Sequence, residues 1–350
     1  MRQTSPPRIL FLADAGPQVG GGHVMRCLTL ARALAARGAE CAFVESRAAA
    51  GVLRRFGWPA QTLLAMIGAE AVPELVRSGC DFAGRFGADV VVVDHYGAGA
   101  EEEAALRGEG RRIVAIDDLA DRPHACDLLV DPGFGRRREP YDGLIGGRCV
   151  GLFGPTYALV RPEFAAARQR ALSRRARHGP VRRALIALGL TDVGGITARV
   201  AAALASALGD VRLDIVLGGE APSLAALREA AHGDRRLKLW VDSADMASLM
   251  ADADIAIGAG GSSTWERAAV GLPSATLALA DNQRAMIGQM AAAGLTLSID
   301  AGAPDFEDQL RGAWGRLLAD PALRWRLAER TADLCDGHGA DRVAEAVLKL

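Results

Sequence analysis

The chain has 350 residues, half of them apolar and only 5% aromatic, a length that indicates about two domains. Its 41 basic and 42 acidic residues balance, so its charge favours neither nucleic acid nor an anionic membrane as a partner. The sequence has no signal-peptide pattern and no apolar run of roughly 18 residues. Its six cysteines are scattered without a Cys-x-x-Cys pair, which indicates thiols of a reducing compartment and excludes a typical zinc site. We therefore expect a cytoplasmic protein with no metal, no cofactor and no membrane segment.

Short apolar runs rich in β-branched residues alternate with helical segments along the whole chain, which predicts parallel sheets covered by helices on both faces. The strands predicted in the first half are Arg8–Ala13, Cys41–Glu45, Asp89–Asp94, Arg112–Asp117 and Leu128–Asp131, with a helix over Val24–Arg37. Those in the second half are Arg183–Leu188, Arg212–Leu217, Leu237–Val241, Asp254–Gly258 and Ser274–Leu279. The helices predicted between them are Ile196–Leu208, Ser223–Ala231, Ala244–Ala251, Ser263–Val270 and Gln283–Ala293. The predicted fold class is α/β, with two doubly wound, Rossmann-like domains.

The two blocks meet at Arg161–Pro180, where we place the domain junction. The N-terminal domain is predicted over residues 1–165 and the C-terminal domain over residues 181–335. Residues 336–350 are predicted as a C-terminal helix, a candidate to pack back on the N-terminal domain. The junction carries several arginines, which fit either a phosphate-binding patch or a solvated helix leading into a linker. Because they are not confined to one helical face, the second interpretation is favoured.

A glycine-rich turn follows the first predicted strand and contains Gly20, Gly21 and Gly22 directly before His23. Consecutive glycines let the backbone approach a ligand closely, and a helix starts at once, so its free N–H groups point into the same space. The spacing is neither the dinucleotide fingerprint nor a P-loop. The positive potential in a first helical turn disfavours an imidazolium, so His23 is predicted to be neutral and able to act as a general base. The alternative is a histidine that only caps or packs against the turn.

A second signature follows the strand that ends at Gly258. It contains Gly260 and Gly261, then the hydroxyl residues Ser262 and Ser263 at the start of a helix. Backbone amides and hydroxyls in this arrangement suit a pyrophosphate. Glu266 lies one turn into the helix, where its carboxylate could accept hydrogen bonds from a ribose diol. The alternative is a helix cap with a capping-box-like glutamate.

Acidic and aromatic residues mark two further strand ends. Asp117 and Asp118 follow a strand at its carboxyl end, where either a ligand contact or a structural network of salt bridges and turn bonds would explain them. Tyr96 follows another strand and could hydrogen-bond a bound sugar. Asp252 and Asp254 match the Asp-x-Asp spelling of some metal-dependent sugar transferases, but they precede a strand and so lie at the wrong end for a cleft. No metal site is therefore predicted.

These motifs together resemble the nucleotide-sugar hydrolases of pseudaminic acid biosynthesis, the PseG family, which are relatives of the MurG-type glycosyltransferases. The resemblance spans nearly the whole chain. The matching segments are Gly20–Arg26, Val93–Tyr96, Ile116–Leu119, Cys126–Leu129, Gly154–Leu159, Arg161–Phe164, Gly258–Arg267 and Asn282–Gln283. The loop Gly189–Gly195 departs from the family pattern because its glycines are displaced, which leaves its part in phosphate or sugar binding open.

The resemblance implies a GT-B-like fold whose two domains face an interdomain cleft. It also implies removal of UDP from UDP-2,4-diacetamido-2,4,6-trideoxy-β-L-altropyranose by water, with this small molecule as the partner. By resemblance His23 is the catalytic residue, Tyr96 lies in the active site, and Ser262, Glu266, Asn282 and Gln283 surround the diphosphate, ribose and sugar. The remaining candidates for substrate binding are Gly21, Gly22, Asp118, Gly260, Gly261 and Ser263.

Two other functions stay open on the sequence alone. The first is a MurG-like glycosyltransferase that passes the sugar to an acceptor other than water. The second is a non-catalytic protein that binds a nucleotide-sugar. The sequence does not determine the oligomeric state and is compatible with a monomer.

Overall fold

The computed structural model of the chain describes residues 5–14, 16, 21–45, 47–58, 63–65, 72–108 and 110–350. These residues form two compact units. The first comprises the described residues up to Leu159 together with His338–Leu350, and the second comprises Val160–Gly337. None of the described helices is long and apolar enough to cross a membrane.

Each unit contains one parallel sheet. The strands of the first are β1 (Arg8–Ala13), β2 (Glu40–Glu45), β3 (Leu63–Ala65), β4 (Val90–Asp94), β5 (Arg112–Ile116), β6 (Leu128–Asp131) and β7 (Val150–Phe153). Those of the second are β8 (Arg183–Ala187), β9 (Arg212–Leu217), β10 (Leu237–Val241), β11 (Ile255–Ala259), β12 (Ser274–Ala278) and β13 (Leu297–Asp300). The spatial order of the described strands is β3-β2-β1-β4-β5-β6-β7 in the first sheet and β10-β9-β8-β11-β12-β13 in the second.

Helices connect these strands. The first four are α1 (Gly22–Ala35), α2 (Arg47–Arg55), α3 (Val72–Phe86) and α4 (Ala100–Arg107). The second unit contains α5 (Pro162–Arg175), α6 (Ile196–Leu204), α7 (Leu224–Gly233), α8 (Met246–Asp252), α9 (Ser263–Ala269), α10 (Asp281–Ala292), α11 (Phe306–Ala319) and α12 (Pro321–Leu334). The last helix, α13 (Gly339–Val347), belongs to the first unit and packs against α1.

The first sheet is buried on both faces. Its strand β4 reads Val-Val-Val-Val-Asp with every residue buried, as parallel strands covered by helices require. One face packs against α1, α2 and α13, with Leu28 and Val343 in that core. The other packs against α3 and α4, with Phe82 and Leu106 in the second core. In the second unit, the largest buried side chain is Trp314 of α11, whose indole N–H donates to the carbonyl of Ala207 at 3.1 Å.

Both sheets reverse their strand order at one point, between β1 and β4 in the first and between β8 and β11 in the second. At such a point two neighbouring connections leave in opposite directions and open a crevice beyond the carboxyl ends of the strands. The loop that leads into α1 follows β1, and the loop that leads into α9 follows β11. The start of α1, with Gly21 and Gly22, and the glycine-rich segment after β11 therefore lie at the two switch points.

The predicted α/β class with two doubly wound domains is confirmed. Three strands that the sequence did not predict, β3, β7 and β13, complete the sheets. Each has only three or four residues, and β7 at the sheet edge is only partly buried, so their apolar signal is too short to recognise. The segment Arg161–Pro180, predicted as the domain junction, is mostly the helix α5 of the second unit.

Candidate functional site

His23 lies in the first turn of α1, with Gly21 as the N-cap residue, and its side chain is almost completely buried. Its ring nitrogen Nδ1 is 2.5 Å from Oδ1 of Asp94, the last residue of β4. Because β4 is the neighbour of β1 in the sheet, the end of β4 lies beside the loop that carries the histidine. Gly22 starts α1, whereas Gly20 lies outside the described residues.

The contact with Asp94 determines which ring nitrogen of His23 carries a proton. A carboxylate only accepts hydrogen bonds, so at 2.5 Å Nδ1 must be protonated and must donate to it. In the neutral ring the other nitrogen, Nε2, then holds the lone pair. This is the arrangement of a histidine base that is oriented by a carboxylate.

Arg26, one helical turn after His23, holds Asp94 in place. Its guanidinium donates from Nε to Oδ2 and from Nη2 to Oδ1 of Asp94, both at 2.6 Å. Burial alone would raise the pKa of Asp94, but the charge of Arg26 and the contact with His23 lower that pKa well below its usual range. Asp94 is therefore an anion at every physiological pH. The same guanidinium donates from Nη1 to Oδ2 of Asp118 at 2.9 Å, so one arginine joins two strand ends.

Tyr96 and Asp118 complete this cluster. The ring of Tyr96 meets the imidazole of His23 edge to face, with centroids 4.6 Å apart. Burial, reinforced by a hydrogen bond to Asp118, raises the pKa of the Tyr96 phenol well above its usual value, so it remains a hydrogen-bond donor. Oδ1 of Asp118 is buried and has no hydrogen-bond partner among the described residues. It is an acceptor that a ligand N–H or O–H could use.

The acidic pair Asp117 and Asp118 is divided between two environments. Asp117 is completely buried and takes part in turn bonds and salt bridges, with the amide of Ala120 at 2.8 Å and Nη1 of Arg122 at 2.8 Å. For Asp117 the structural interpretation therefore applies. Asp118 instead faces Arg26, as described above, and keeps its candidacy as a ligand contact.

Behind this site, the hydroxyl of Tyr141 lies between two buried carboxylates, 2.8 Å from Oδ2 of Asp117 and 2.8 Å from Oδ2 of Asp131. A phenol has one hydrogen and can donate to one of them only. The other carboxyl group needs a proton of its own to make a hydrogen bond. Burial raises the pKa of Asp131 to about 6, although Arg136, 3.0 Å away, opposes the shift. Asp131 is thus the member of the trio that takes up a proton.

In the second unit, Gly260 and Gly261 follow β11 and lead into α9. A Cβ at Gly260 would be 2.4 Å from Cδ1 of Ile287 and 3.2 Å from Oε1 of Gln283, so a larger residue would require side chains of α10 to move. A Cβ at Gly261 would meet no atom within 4 Å, and the residue is exposed. Ser262 is also exposed, and its side chain caps no helical amide. This segment therefore presents backbone and a hydroxyl to its surroundings.

Arg267 supports this loop from below. Its buried guanidinium donates to the carbonyl of Ala259 at 3.0 Å and to Oγ of Ser263 at 3.1 Å. Burial lowers the pKa of Arg267 to about 10, partly offset by Glu266. Because Oγ of Ser263 accepts from the arginine, its own hydrogen stays available for a ligand oxygen. The positive charge of Arg267 also favours the binding of an anion at this loop.

The other predicted contacts in this unit have structural partners as well. Oε1 of Glu266 is 3.0 Å from both Nε and Nη2 of Arg161, so a role toward ribose falls to its other oxygen. Oε1 of Gln283 accepts from the amide of Leu279 at 3.0 Å. Asn282 lies exposed in the first turn of α10.

The loop Gly189–Gly195 is held by one buried aspartate. Asp192 has a positive φ of 47°, and its carboxylate accepts from the amides of Thr197 at 2.9 Å and Ser223 at 3.0 Å. Both oxygens therefore stabilise the chain itself, and we assign this side chain no ligand.

Sequence reasoning missed Asp94 and Arg26 as site residues. Both lie in segments that resemble the family pattern, and the sequence carries one signal for each. Asp94 is a charged residue that ends a run of four valines. Arg26 is three residues after His23 and so lies on the same helical face. In the described part of the chain, no cluster of histidine, cysteine, aspartate or glutamate side chains could hold a metal ion.

Two curated proteins are similar to the chain in sequence. UDP-2,4-diacetamido-2,4,6-trideoxy-β-L-altropyranose hydrolase of Campylobacter jejuni is 26% identical over 244 residues, which cover 69% of this chain and 81% of that protein. The spore coat polysaccharide biosynthesis protein SpsG of Bacillus subtilis is 26% identical over 337 residues, 95% of each chain. No protein-family model matches the chain.

Among solved structures, MurG of Acinetobacter baumannii superimposes with a TM-score of 0.68, covering 99% of this chain and all of that one at 16% identity. At this identity the likeness concerns the fold. It establishes the GT-B-like two-domain fold that the sequence predicted.

We predict that Asp131→Asn changes the pH dependence of stability. A carboxyl group whose pKa is raised on folding adds stability below its unfolded pKa, and this is lost as pH rises through its folded pKa, here about 6. Asparagine resembles the protonated acid, so relative to wild type the variant should gain roughly 1–2 kcal/mol of unfolding free energy between pH 5 and 7.5. Urea unfolding at both pH values measures the difference.

Asp127→Asn is the matched control. The pKa of Asp127 is lowered because the amide of Ile113 and the guanidinium of Arg107 outweigh its burial, so its charge hardly changes between pH 5 and 7.5. The effect of this substitution on stability should therefore be the same at those two pH values. An Asp131→Asn variant that loses stability relative to wild type as pH rises would contradict the shared-proton arrangement.

Proposed function

We propose that this protein hydrolyses UDP-2,4-diacetamido-2,4,6-trideoxy-β-L-altropyranose to the free sugar and UDP. The observation that carries the proposal is the buried contact between Nδ1 of His23 and Asp94, which leaves Nε2 as the site for a proton. The sequence similarity to the Campylobacter jejuni hydrolase supports the substrate.

In the proposed step, Nε2 of His23 accepts a proton from water while the water oxygen bonds to the anomeric carbon. The bond from that carbon to the diphosphate oxygen breaks, and its electron pair leaves with UDP. A single displacement inverts the anomeric configuration. UDP is a good leaving group, so no separate strong acid is needed. Asp94 stabilises the imidazolium that forms, because its negative charge is already present and oriented.

We assign the sugar to the cluster around His23. Oδ1 of Asp118 offers an unused acceptor, which suits an acetamido N–H or a hydroxyl group. The ring of Tyr96 lies beside the imidazole. Its phenol hydrogen is directed to Asp118, so the phenol oxygen can accept a hydrogen bond from a sugar hydroxyl. Gly21 and Gly22 carry no side chain that would fill the space at the start of α1.

We assign the diphosphate to Gly260, Gly261, Ser262 and Ser263 in the second unit. Exposed backbone, two hydroxyls and the buried cation of Arg267 below the loop support this assignment. Glu266, Asn282 and Gln283 are proposed around the ribose and the sugar. No metal ion enters the proposed mechanism.

A glycosyltransferase is the second candidate. The fold shared with MurG favours it, and the relative matched over nearly its full length, SpsG, is a polysaccharide biosynthesis protein. The same histidine would then deprotonate an acceptor hydroxyl instead of water, so the two candidates differ only in the nucleophile.

Incubation of the pure protein with the UDP-sugar and no acceptor distinguishes these candidates. Time-resolved NMR should show free sugar and UDP appearing in equal amounts, because water is the nucleophile. The first-formed anomer should be inverted, because the reaction is a single displacement. Substrate that stays intact until an acceptor is added would establish the transferase instead. Saturable binding with no turnover under either condition would contradict both enzymatic functions.

His23→Ala should lower turnover by about 10²–10⁴-fold, the usual contribution of a general base. The affinity for UDP, measured by calorimetry, should stay close to that of wild type because the proposed diphosphate contacts lie in the other unit. His232→Ala, at an exposed histidine of α7, is the matched control and should keep wild-type turnover. Wild-type turnover in His23→Ala would show that this histidine is not the base.

A further inference from the structure

A cavity of about 220 Å³ lies at the amino-terminal edge of the second sheet. Its lining includes Arg182 just before β8, Asp254 just before β11 and Pro273 just before β12. The candidate diphosphate loop follows the opposite end of β11. Five strand residues separate the two ends, roughly 16 Å, so the cavity is a distinct location within the same unit.

The lining of this cavity is strongly cationic. Five arginines face it from three parts of the chain, with His178 beside them and Asp254 as the one carboxylate among the described lining residues. These arginines are Arg174, Arg175, Arg177, Arg182 and Arg324. Both carboxylate oxygens of Asp254 already have partners within the chain. Oδ1 pairs with Arg174 at 2.6 Å, and Oδ2 accepts hydrogen bonds from the amides of Arg182 and Arg183 at 2.8 and 2.9 Å. One aspartate therefore leaves an excess of positive charge.

Arg175 is the buried member of this group. Its Nη2 donates to the carbonyls of Met250 at 2.7 Å and Ala253 at 3.2 Å. Its Nε and Nη1 are buried and have no hydrogen-bond partner in the described part of the chain. Burial and the neighbouring charge of Arg174 lower the pKa of Arg175 to about 9, against the opposing effect of Asp254 and Asp252. Buried donors without an acceptor are costly, and an anion in the cavity would relieve that cost.

Two further arginines at this cavity have guanidinium groups that could bind a ligand. The side chains of Arg177 and Arg182 are exposed and make no ion pair or hydrogen bond to any residue that the structure describes. Arg324, by contrast, is tied to the carbonyls of Leu317 and Gly179 at 2.8 and 3.0 Å. The cavity thus combines arginines that are bonded to backbone carbonyls with exposed guanidinium groups that can turn toward a ligand.

We propose that this cavity binds a small phosphate-bearing anion. Guanidinium groups recognise phosphate oxygens by paired, charge-assisted hydrogen bonds, and the free donors of Arg175, Arg177 and Arg182 supply them. The volume is below the range of about 300–1,000 Å³ for drug-sized ligands and suits inorganic pyrophosphate or the phosphate group of a small metabolite. The sequence alone favoured a solvated helix for these arginines. That interpretation did not foresee that Arg182 and Arg324 join them from other segments.

Titration calorimetry of the full chain with inorganic pyrophosphate at constant ionic strength tests the proposal, with saturating UDP present to occupy the candidate diphosphate loop. Wild type should then bind one further equivalent. Arg175→Met should weaken binding by about tenfold or more, since it removes the buried donors. The double substitution Arg177→Gln with Arg182→Gln should weaken it similarly, and because both side chains are exposed and unpartnered, it keeps the test valid if Arg175→Met fails to fold.

The matched control is Arg228→Gln with Arg235→Gln, which removes two exposed arginines of the same unit that lie outside the cavity lining. It should change affinity by less than about twofold, because neither side chain lines the cavity and exposed charges are screened by salt. Absence of binding to wild type overturns the proposal. So does equal weakening in the control, which would indicate general charge attraction, or binding that survives both cavity variants, which would place the anion elsewhere. Competition by glucose 1-phosphate supports an organic phosphate as the ligand, and its failure to compete supports an inorganic one.

Discussion

The proposed chemistry depends on one buried carboxylate. Asp94 has no exposed surface, and an unpaired charge there would be prohibitively costly. The bidentate contact with Arg26 makes burial possible, and the remaining hydrogen-bonding capacity of the carboxylate fixes the imidazole of His23. The strand order determines that these groups meet. Because β1 and β4 are neighbours and their connections diverge, a helix start and a strand end converge on the same point.

Arginine has a recurring role in this chain as a buried support. Arg26 lies under the histidine, and Arg267 lies under the glycine-serine loop, where it donates to backbone and hydroxyl oxygens. In both places a planar cation with several N–H donors holds neighbouring oxygen atoms in position. Arg175 differs because part of its donor capacity is unused. That difference distinguishes a potential ligand site from a structural brace.

Much of the fold could be predicted from the sequence, because most strands are apolar runs closed by glycine or charged residues. Gly260 and Gly261 also follow a strand end as expected, since glycine at a strand end is a local signal. The three strands that the sequence did not predict, β3, β7 and β13, are short and carry little local signal. Asp94 was not predicted as a site residue because its role depends on which strands are neighbours. The spacing of residues in the sequence does not encode the order of the strands in a sheet.

The pair Asp117 and Asp118 illustrates the same limit at the scale of one residue. The two side chains are adjacent in sequence, yet one enters a buried network with Tyr141 and the other faces Arg26. Asp117 bonds to the chain itself, whereas Oδ1 of Asp118 has no hydrogen-bond partner among the described residues and is our proposed ligand contact. Residue type and spacing alone left these roles equal, and only the surrounding partners separate them.

The central claim is that Asp94 holds His23 with a proton on Nδ1 and a lone pair on Nε2. Long-range ¹H–¹⁵N correlation NMR of the imidazole, followed across pH, tests it most directly because it needs no substrate. Once the ring is neutral, the account predicts the tautomer protonated at Nδ1, and Asp94→Asn should disturb that preference. A neutral His23 that carries its proton on Nε2 in the wild-type protein would contradict the account.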